Sequence, residues 1–189
     1  MITPAINQKQ ISFTAYNSLM VDTVKKAVKE KKAVIHCAYS GDIFSSSKNN
    51  RPSIEHIKPH HDGGQNKDFN FLPVKRKINS ERGHMPLPEY ILVHPEIIEN
   101  VKRTICEVAR LKSAKFDGKK WAKEVIETFS KEAKTEIKID IETIGSPIYI
   151  EDAVKKTKPK NNTLQKAEND TKTSFQKQLE AIMHKLKSD

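Results

Sequence analysis

Apolar residues recur at helical spacing in three parts of the chain. A weak apolar stripe in residues 17–32 is formed by Leu19, Val21, Val24, Ala27 and Val28. A stronger one follows Pro95 and contains Ile97, Ile98, Val101, Ile105, Val108 and Leu111. In the third, from about residue 117 to 132, one face carries Trp121, Val125, Ile126 and Phe129. This periodicity predicts three amphipathic helices whose apolar faces supply core.

Shorter apolar runs between these segments predict strands. Residues 33–39 form one such run, and a turn follows at 40–42. Strands are also predicted at 53–58 and 69–74 because each run is bounded by polar, proline or glycine residues. A helix is expected over 75–82, and Gly83 should end it. The result is a strand, loop, strand and helix in sequence.

A second β element is predicted near the end of the folded part. Ile137, Ile139 and Ile141 alternate with charged or polar residues, which is typical of a half-exposed strand. Residues 147–150 are a candidate pairing partner for it. The predicted fold class is therefore α+β.

Candidate chemistry is concentrated in residues 54–83. Glu55 precedes His56, and Asn70 and Asn79 follow His56 by 14 and 23 positions. A histidine near its ordinary pKa is a suitable base at neutral pH. A carboxylate and a carboxamide oxygen are suitable ligands for Mg²⁺. The Asn70 amide could hydrogen-bond the backbone of the loop after His56 and hold it in place. This combination is suited to phosphodiester hydrolysis.

The same stretch resembles the HNH nuclease family, whose fold is the ββα-metal (His-Me) finger. It is most similar to the variant with asparagine in the third motif position, found in the HNH domain of CRISPR effector nucleases. The similarity covers residues 36–92 and includes the segments 37–41 and 79–83, with Pro86 and Tyr90 after them. It implies a ββα-metal nuclease core with helical flanking segments, a small β element and a flexible C-terminal tail.

The resemblance also implies roles for individual residues. His56 would be the general base, Glu55 and Asn79 the metal ligands, and Asn70 the residue that orders the active-site loop. Mg²⁺ is the implied cofactor, and Mn²⁺ should substitute. Glu55 departs from the commoner aspartate, which changes ligand reach by one methylene. The paired CxxC motifs of many members are absent, so no structural zinc is expected.

Basic residues near the motif are candidates for contact with nucleic acid. We place Lys58, Lys77, Arg82 and His84 in this group, because cationic side chains commonly bind phosphate oxygens. Net charge is +10, which favours an anionic partner. Residues 36–100 nevertheless contain eight Lys or Arg and eight Asp or Glu. Because this segment is neutral overall, the electrostatic attraction to nucleic acid would come from the residues before and after it.

Composition limits the cellular setting that we predict. Cys37 and Cys106 could pair, but free thiols in a reducing compartment are favoured. No apolar run approaches the ~20 residues of a membrane span, and the N-terminus lacks the apolar region of a signal peptide. We therefore expect a cytoplasmic protein without a membrane partner.

Five segments are predicted along the chain. Residues 1–32 form a basic, helical extension, 33–94 the nuclease core, and 95–153 a helical and small β extension. Residues 154–173 are rich in Lys, Asn and Thr and predict a disordered linker. Residues 174–189 predict an amphipathic helix, and its 174–187 part could bind a protein partner or a second copy.

The predicted function is metal-dependent endonucleolytic cleavage, with DNA favoured over RNA. Two alternatives remain open from the sequence. One is a nuclease toxin or defence effector that is controlled by a partner. The other is a module that keeps the finger as a scaffold and binds nucleic acid, or assembles, without cutting.

Overall fold

The computed structural model describes residues 17–151. The predictions for residues 1–16, for the linker and for the C-terminal helix lie outside this range. The described helices are α1 (Leu19–Lys29), α2 (Arg76–Arg82), α3 (Leu87–Val93), α4 (Ile97–Ala109) and α5 (Gly118–Ala133). The strands are β1 (Pro52–His56), β2 (Phe71–Lys75), β3 (Leu111–Lys112) and β4 (Ile148–Tyr149). The predicted α+β class is confirmed.

Strands β1 and β2 form an antiparallel pair that runs from Pro52 opposite Lys75 to His56 opposite Phe71. All of β2 is buried except Lys75, whereas β1 is buried only at Pro52 and Glu55. Proline is tolerated at the start of β1 because a two-stranded sheet consists only of edges. The pair therefore has one well-covered strand and one strand that presents side chains to a partly open face.

Helix α2 follows β2 without a connecting loop and lies against β1. Asn79 in this helix donates from Nδ2 to the carbonyl oxygen of Ile54 at 2.7 Å. Gly83, whose φ is +57°, comes directly after the helix, and its amide donates to the carbonyl of Asn79. The predicted helix over 75–82 and its end at Gly83 are confirmed, with a start one residue later.

The three longer helices match the apolar stripes in the sequence. Ser18 begins α1 by accepting from the amide of Val21 at 3.1 Å, and Asp117 begins α5 by accepting from that of Lys120 at 3.1 Å. Both are N-caps, which satisfy amides that have no partner within the helix. The inner faces of α1, α4 and α5 belong to the same hydrophobic cluster as Ile57 and β2.

Two predicted strands are wrong. Residues 33–39 contain a single bridge, between His36 and Ile43, because the chain enters a turn at 38–40 and reverses through Gly41, whose φ is +70°. Residues 137–141 bury Ile137 and Ile141 but pair with no strand of the described range. The amide of Ile137 instead donates to Ser130 Oγ, near the end of α5, at 3.1 Å.

The β element forms elsewhere than predicted. β4 pairs in parallel with β3, so Leu111, which the sequence placed on a helix, is a strand residue. Helix α3 has no counterpart in the sequence analysis. It contains Pro88 in its first turn, where proline is accommodated, and it is too short to show a clear period.

Two further features bear on the predicted setting. Among residues 17–151, none of the helices has the length and apolar character that crossing a bilayer requires. Cys37 is buried, Cys106 is partly exposed, and both are free thiols.

Candidate functional site

His56 is the last residue of β1, and its ring is partly covered. The ring stands edge-on to the cross-strand Phe71 ring, with centroids 4.8 Å apart. Burial lowers the pKa of His56, although a hydrogen bond to Asn66 opposes this shift. The imidazole is therefore neutral near neutral pH, which is the state that a general base requires.

The hydrogen bond from His56 identifies a residue that sequence reasoning missed. Nε2 of His56 lies 2.7 Å from Oδ1 of Asn66. With this oxygen as the acceptor, the hydrogen of the imidazole is on Nε2. Asn66 lies in a polar loop, and nothing in its spacing from His56 pointed to the contact.

Asn70 makes the contacts expected of a residue that orders the loop after His56. It is almost completely buried, and its Oδ1 accepts from the amide of Lys58 at 2.9 Å. Its Nδ2 donates to the carbonyl oxygens of Lys58 and Gln65, each at 3.0 Å. One side chain therefore joins both ends of the loop by three hydrogen bonds. Its assigned part in catalysis stays a prediction.

Two glycines allow this loop to close. Gly63 has φ +84°, in the left-handed region that favours glycine. Gly64 is required for a different reason, since a Cβ there would come within 1.9 Å of the carbonyl oxygen of Lys58. The Gly63-Gly64 turn is thus a site of very close backbone approach.

Glu55 faces the interior, on the opposite side of β1 from His56. Its side chain is buried, and Oε1 accepts hydrogen bonds from Nη1 of Arg82 and from the hydroxyl of Tyr39, the latter at 3.2 Å. Burial raises the pKa of the Glu55 carboxyl, and the Arg82 guanidinium opposes that effect. Asn100 of α4 fixes the Tyr39 backbone by donating to its carbonyl oxygen at 2.9 Å.

Arg82 lies inside the protein rather than at the surface expected of a phosphate-binding side chain. Only 4% of it is exposed. In addition to Glu55, Nη1 contacts the carbonyl oxygen of His56 at 3.0 Å, and Nε donates to that of Met85 at 3.1 Å. We therefore assign Arg82 to an internal network that joins Glu55, the end of β1 and the turn after α2. The burial of Arg82 could not be predicted from the sequence, because an arginine at the end of a helix is usually exposed to solvent.

The predicted metal ligands fit Mg²⁺ in donor type. Asn79 uses Nδ2 to bind Ile54, so Oδ1 is its remaining acceptor. Glu55 uses Oε1 for both of its hydrogen bonds. A carboxylate oxygen and a carboxamide oxygen are hard ligands of the kind that Mg²⁺ takes. A cation here would have to share Glu55 with Arg82.

The set of side chains predicted to bind the metal ion is small. Within residues 17–151, no three His, Cys, Asp or Glu side chains lie together so that they could hold a metal ion. The predicted set contains only one carboxylate and depends on an asparagine. It is therefore a different kind of site from such a cluster.

The other predicted nucleic-acid contacts occupy the surface around this site. Lys77 on α2 has a side chain that is 84% exposed, and its Nζ lies 3.6 Å from Oε1 of Glu81. His84 is exposed, and its ring stands edge-on to that of His61 at 5.1 Å. Lys58 is partly buried, and its backbone is held by Asn70.

Comparisons with protein-family models, with curated proteins and with solved structures found no match for this chain.

Proposed function

We propose that this protein is a metal-dependent endonuclease of the HNH type that hydrolyses phosphodiester bonds, with DNA as its substrate. One observation carries the proposal. Asn70 clamps the loop that begins directly after a neutral histidine, His56, at the end of an antiparallel strand pair. The helix that follows brings Asn79 against the same strand. This arrangement is the one that the resemblance to a ββα-metal finger implies.

His56 is the base in this proposal. The imidazole removes a proton from the attacking water, and its lowered pKa keeps it in the neutral form that can do so. With the hydrogen on Nε2 in the observed arrangement, the basic lone pair is on Nδ1. Nε2 could accept the proton only after the hydrogen bond with Asn66 opens and the ring hydrogen moves to Nδ1. Asn70 holds the backbone after His56 and so limits its movement.

Glu55 and Asn79 would hold the metal ion. When bound, Mg²⁺ or Mn²⁺ would stabilise the negative charge that develops on the phosphate and the leaving oxygen. Arg82 pairs with the Glu55 carboxylate on the side of β1 opposite His56, so metal binding would require the carboxylate to be shared with Arg82 or to move.

The direct test is cleavage by the purified protein. Supercoiled plasmid, linear duplex, single-stranded DNA and RNA are each incubated with Mg²⁺, with Mn²⁺ and with EDTA. We expect cutting of DNA that depends on the metal. His56→Ala should lower the rate by about 10²–10⁴-fold without loss of the folded state, as measured by circular dichroism.

His94→Ala is the matched control for that variant. His94 is an exposed histidine that pairs with Glu96 at 3.4 Å and has no place in the proposed site. It should cut as the wild type does. Cleavage by His56→Ala at the wild-type rate would show that the base is wrongly assigned.

The buried ion pair favours one alternative, a module that binds nucleic acid without cutting it. Arg82 already neutralises the only carboxylate of the proposed metal site. If this arrangement persists with nucleic acid, the protein binds with a steep dependence on salt and shows no EDTA-sensitive cleavage. The same set of substrates therefore separates the two functions.

A further inference from the structure

A groove of about 820 Å³ runs beside α2, and basic side chains are the largest group among the residues that line it. Five basic residues contribute to it: Lys48, Arg51, Lys75, Arg76 and Lys77. Only two acidic residues, Asp42 and Glu81, share the lining. The surrounding segment is neutral by count, but the fold gathers its positive charge at this groove.

The acidic residues compensate only part of that charge. Lys75 donates to Asp42 at 3.0 Å, and Lys77 lies 3.6 Å from Glu81. Lys48, Arg51 and Arg76 are exposed and form no ion pair with any residue in the range 17–151. Three cations that line one groove without an internal partner indicate an anionic ligand.

The remaining polar groups of the groove suit phosphate oxygens. Asn49, Asn50 and Ser80 contribute amide and hydroxyl donors beside the cations. Side chains of these types supply many of the contacts to nucleic-acid backbones. Because every basic residue of the groove except the half-buried Lys75 is exposed, the groove matches an extended chain of phosphates better than one enclosed anion.

The register of the strand pair relates this groove to His56. Arg51 and Lys75 lie at the end where Pro52 faces Lys75, and His56 lies at the other end of β1, opposite Phe71. Four residues of extended chain span roughly 13 Å. At about 3.4 Å per nucleotide along a strand, this corresponds to about four nucleotides.

We propose that this groove binds the phosphodiester backbone of a nucleic acid a few nucleotides from the bond that His56 attacks. Phosphate binding is assigned to Lys48, Arg51 and Arg76. Neither the sequence motif nor the family resemblance gives these residues a role. The statement about distance to the cut rests on the proposed nuclease function.

Binding is tested first in EDTA, where metal-dependent cleavage cannot contribute. The affinity of a fluorescein-labelled 20-base-pair duplex is measured by anisotropy for the wild type and for the triple variant Lys48→Gln, Arg51→Gln, Arg76→Gln. We expect at least a 10-fold loss of affinity. The slope of log K against log salt should become shallower by about 2.7, since each phosphate contact contributes about 0.9.

The control removes the same charge from other surfaces. Lys29, Lys115 and Lys131 are exposed, lie outside the groove and form no ion pair with another described residue. Their triple glutamine variant has the same net charge as the groove variant and should lose less than two-fold in affinity. An equal loss in both variants would show that net charge alone drives binding and would overturn the proposal.

Two further arms test for a small phosphate ligand and for misfolding of the triple variant. Pyrophosphate is added as a competitor, and displacement of the duplex at micromolar concentration would overturn the proposal in favour of a small phosphate ligand. If the triple variant is misfolded by circular dichroism, the single variants replace it. Each single variant should then lose about two- to three-fold, and unchanged affinity in all three would overturn the proposal.

Failure of the groove and failure of the nuclease give different results. If the groove variant binds and cuts DNA as the wild type does, the groove proposal is wrong and the nuclease proposal is unaffected. If the wild type binds DNA through the groove in EDTA but does not cut it with metal, the nuclease proposal is wrong and the groove proposal stands.

Discussion

Glu55 and His56 are adjacent in sequence but lie in opposite environments. Successive side chains of a strand point to opposite faces, so Glu55 enters the core and His56 meets the partly open side. Burial favours the neutral form of each group, which raises the pKa of the carboxyl and lowers that of the imidazole. The strand thus separates a buried carboxylate, which pairs with Arg82, from a neutral imidazole.

The lowered pKa of His56 predicts the acidic side of the pH–rate profile. The base works only when deprotonated, so kcat/KM should rise with pH and level off above the pKa. Because burial lowers that pKa, the midpoint should lie below the ordinary histidine value of about 6.5. The measurement is plasmid cleavage at constant Mg²⁺ from about pH 4.5 to about pH 8, a range that extends to both sides of the expected midpoint.

Asn66→Ala should shift this midpoint further toward acid, because its hydrogen bond raises the pKa of His56. Gln65→Ala is the control, since Asn70 binds its backbone carbonyl and not its side chain. A midpoint that stays in place in Asn66→Ala, or that lies above 6.5 in the wild type, would contradict the assigned environment of His56.

The Arg82–Glu55 pair predicts a large effect on stability. Arg82→Ala leaves a buried carboxylate without its cation, and breaking such a pair costs about 3–5 kcal/mol. Urea denaturation should therefore show a loss of this size. Lys77→Ala, in the same helix but exposed, should change the unfolding free energy by less than about 0.5 kcal/mol.

A double variant isolates the charge as the cause. Glu55→Gln in the Arg82→Ala background removes the unpaired carboxylate and should restore part of the lost stability. If the two substitutions were additive in a double-mutant cycle, the ion pair would not be the source of the effect.

At the scale of elements, local sequence patterns correctly predicted the structure where the contacting residues are close in sequence. The apolar runs and Gly83 predicted β1, β2 and α2 to within two residues at each end. The predicted contact between Asn70 and the loop after His56 is present for the same reason, since its partners Lys58 and Gln65 are close in sequence.

Contacts between residues far apart in sequence could not be predicted from these local signals. Ile137, Ile139 and Ile141 alternate as a strand does, but alternation also arises when an extended segment lies along a core without a ladder partner. The Arg82–Glu55 pair joins residues 27 positions apart, and only the packing of α2 on β1 makes it possible. The position of Arg82 beside the motif predicted a phosphate contact at the surface, whereas the fold buries this side chain.

The loop after His56 offers a test at this scale. Gly64→Ala places a Cβ 1.9 Å from the carbonyl oxygen of Lys58, so the loop cannot keep its closed form and cleavage should fall sharply. Gly63→Ala meets no atom within 4 Å and suffers only the strain of its positive φ, which costs roughly 1 kcal/mol. It should therefore retain much more activity.

Thermal melting accompanies these assays and separates loss of loop geometry from loss of fold. Similar activity in the two glycine variants at matched folded fractions would contradict the proposed role of the Gly64 contact.

At the scale of the whole molecule, the predicted nuclease segment shares its core with the flanking helices. Asp68, in the turn before β2, accepts from the hydroxyl of Ser18 through Oδ1 at 2.6 Å. Its carbonyl oxygen accepts from Nε1 of Trp121 in α5 at 2.9 Å. The N-terminus of α1 and α5 therefore both hold the turn that leads into β2.

This sharing predicts that residues 33–94 do not fold alone. About 60 residues bury too little surface for more than marginal stability, and here α1, α4 and α5 supply much of the apolar cover over Ile57 and β2. A fragment of residues 33–94 should give a disordered circular-dichroism spectrum and no cooperative melt. Residues 17–151 should melt cooperatively, because the whole continuous core is retained.

Trp121→Phe within residues 17–151 provides the graded control. It keeps an aromatic ring in the core and removes the hydrogen bond to Asp68, which should cost about 1 kcal/mol and leave the protein folded. A fragment of residues 33–94 that melted cooperatively would show that the finger is an independent domain. In that case the helices around it would be additions to a self-sufficient nuclease core, whereas the shared core makes them part of the scaffold that holds His56 and Asn70 in place.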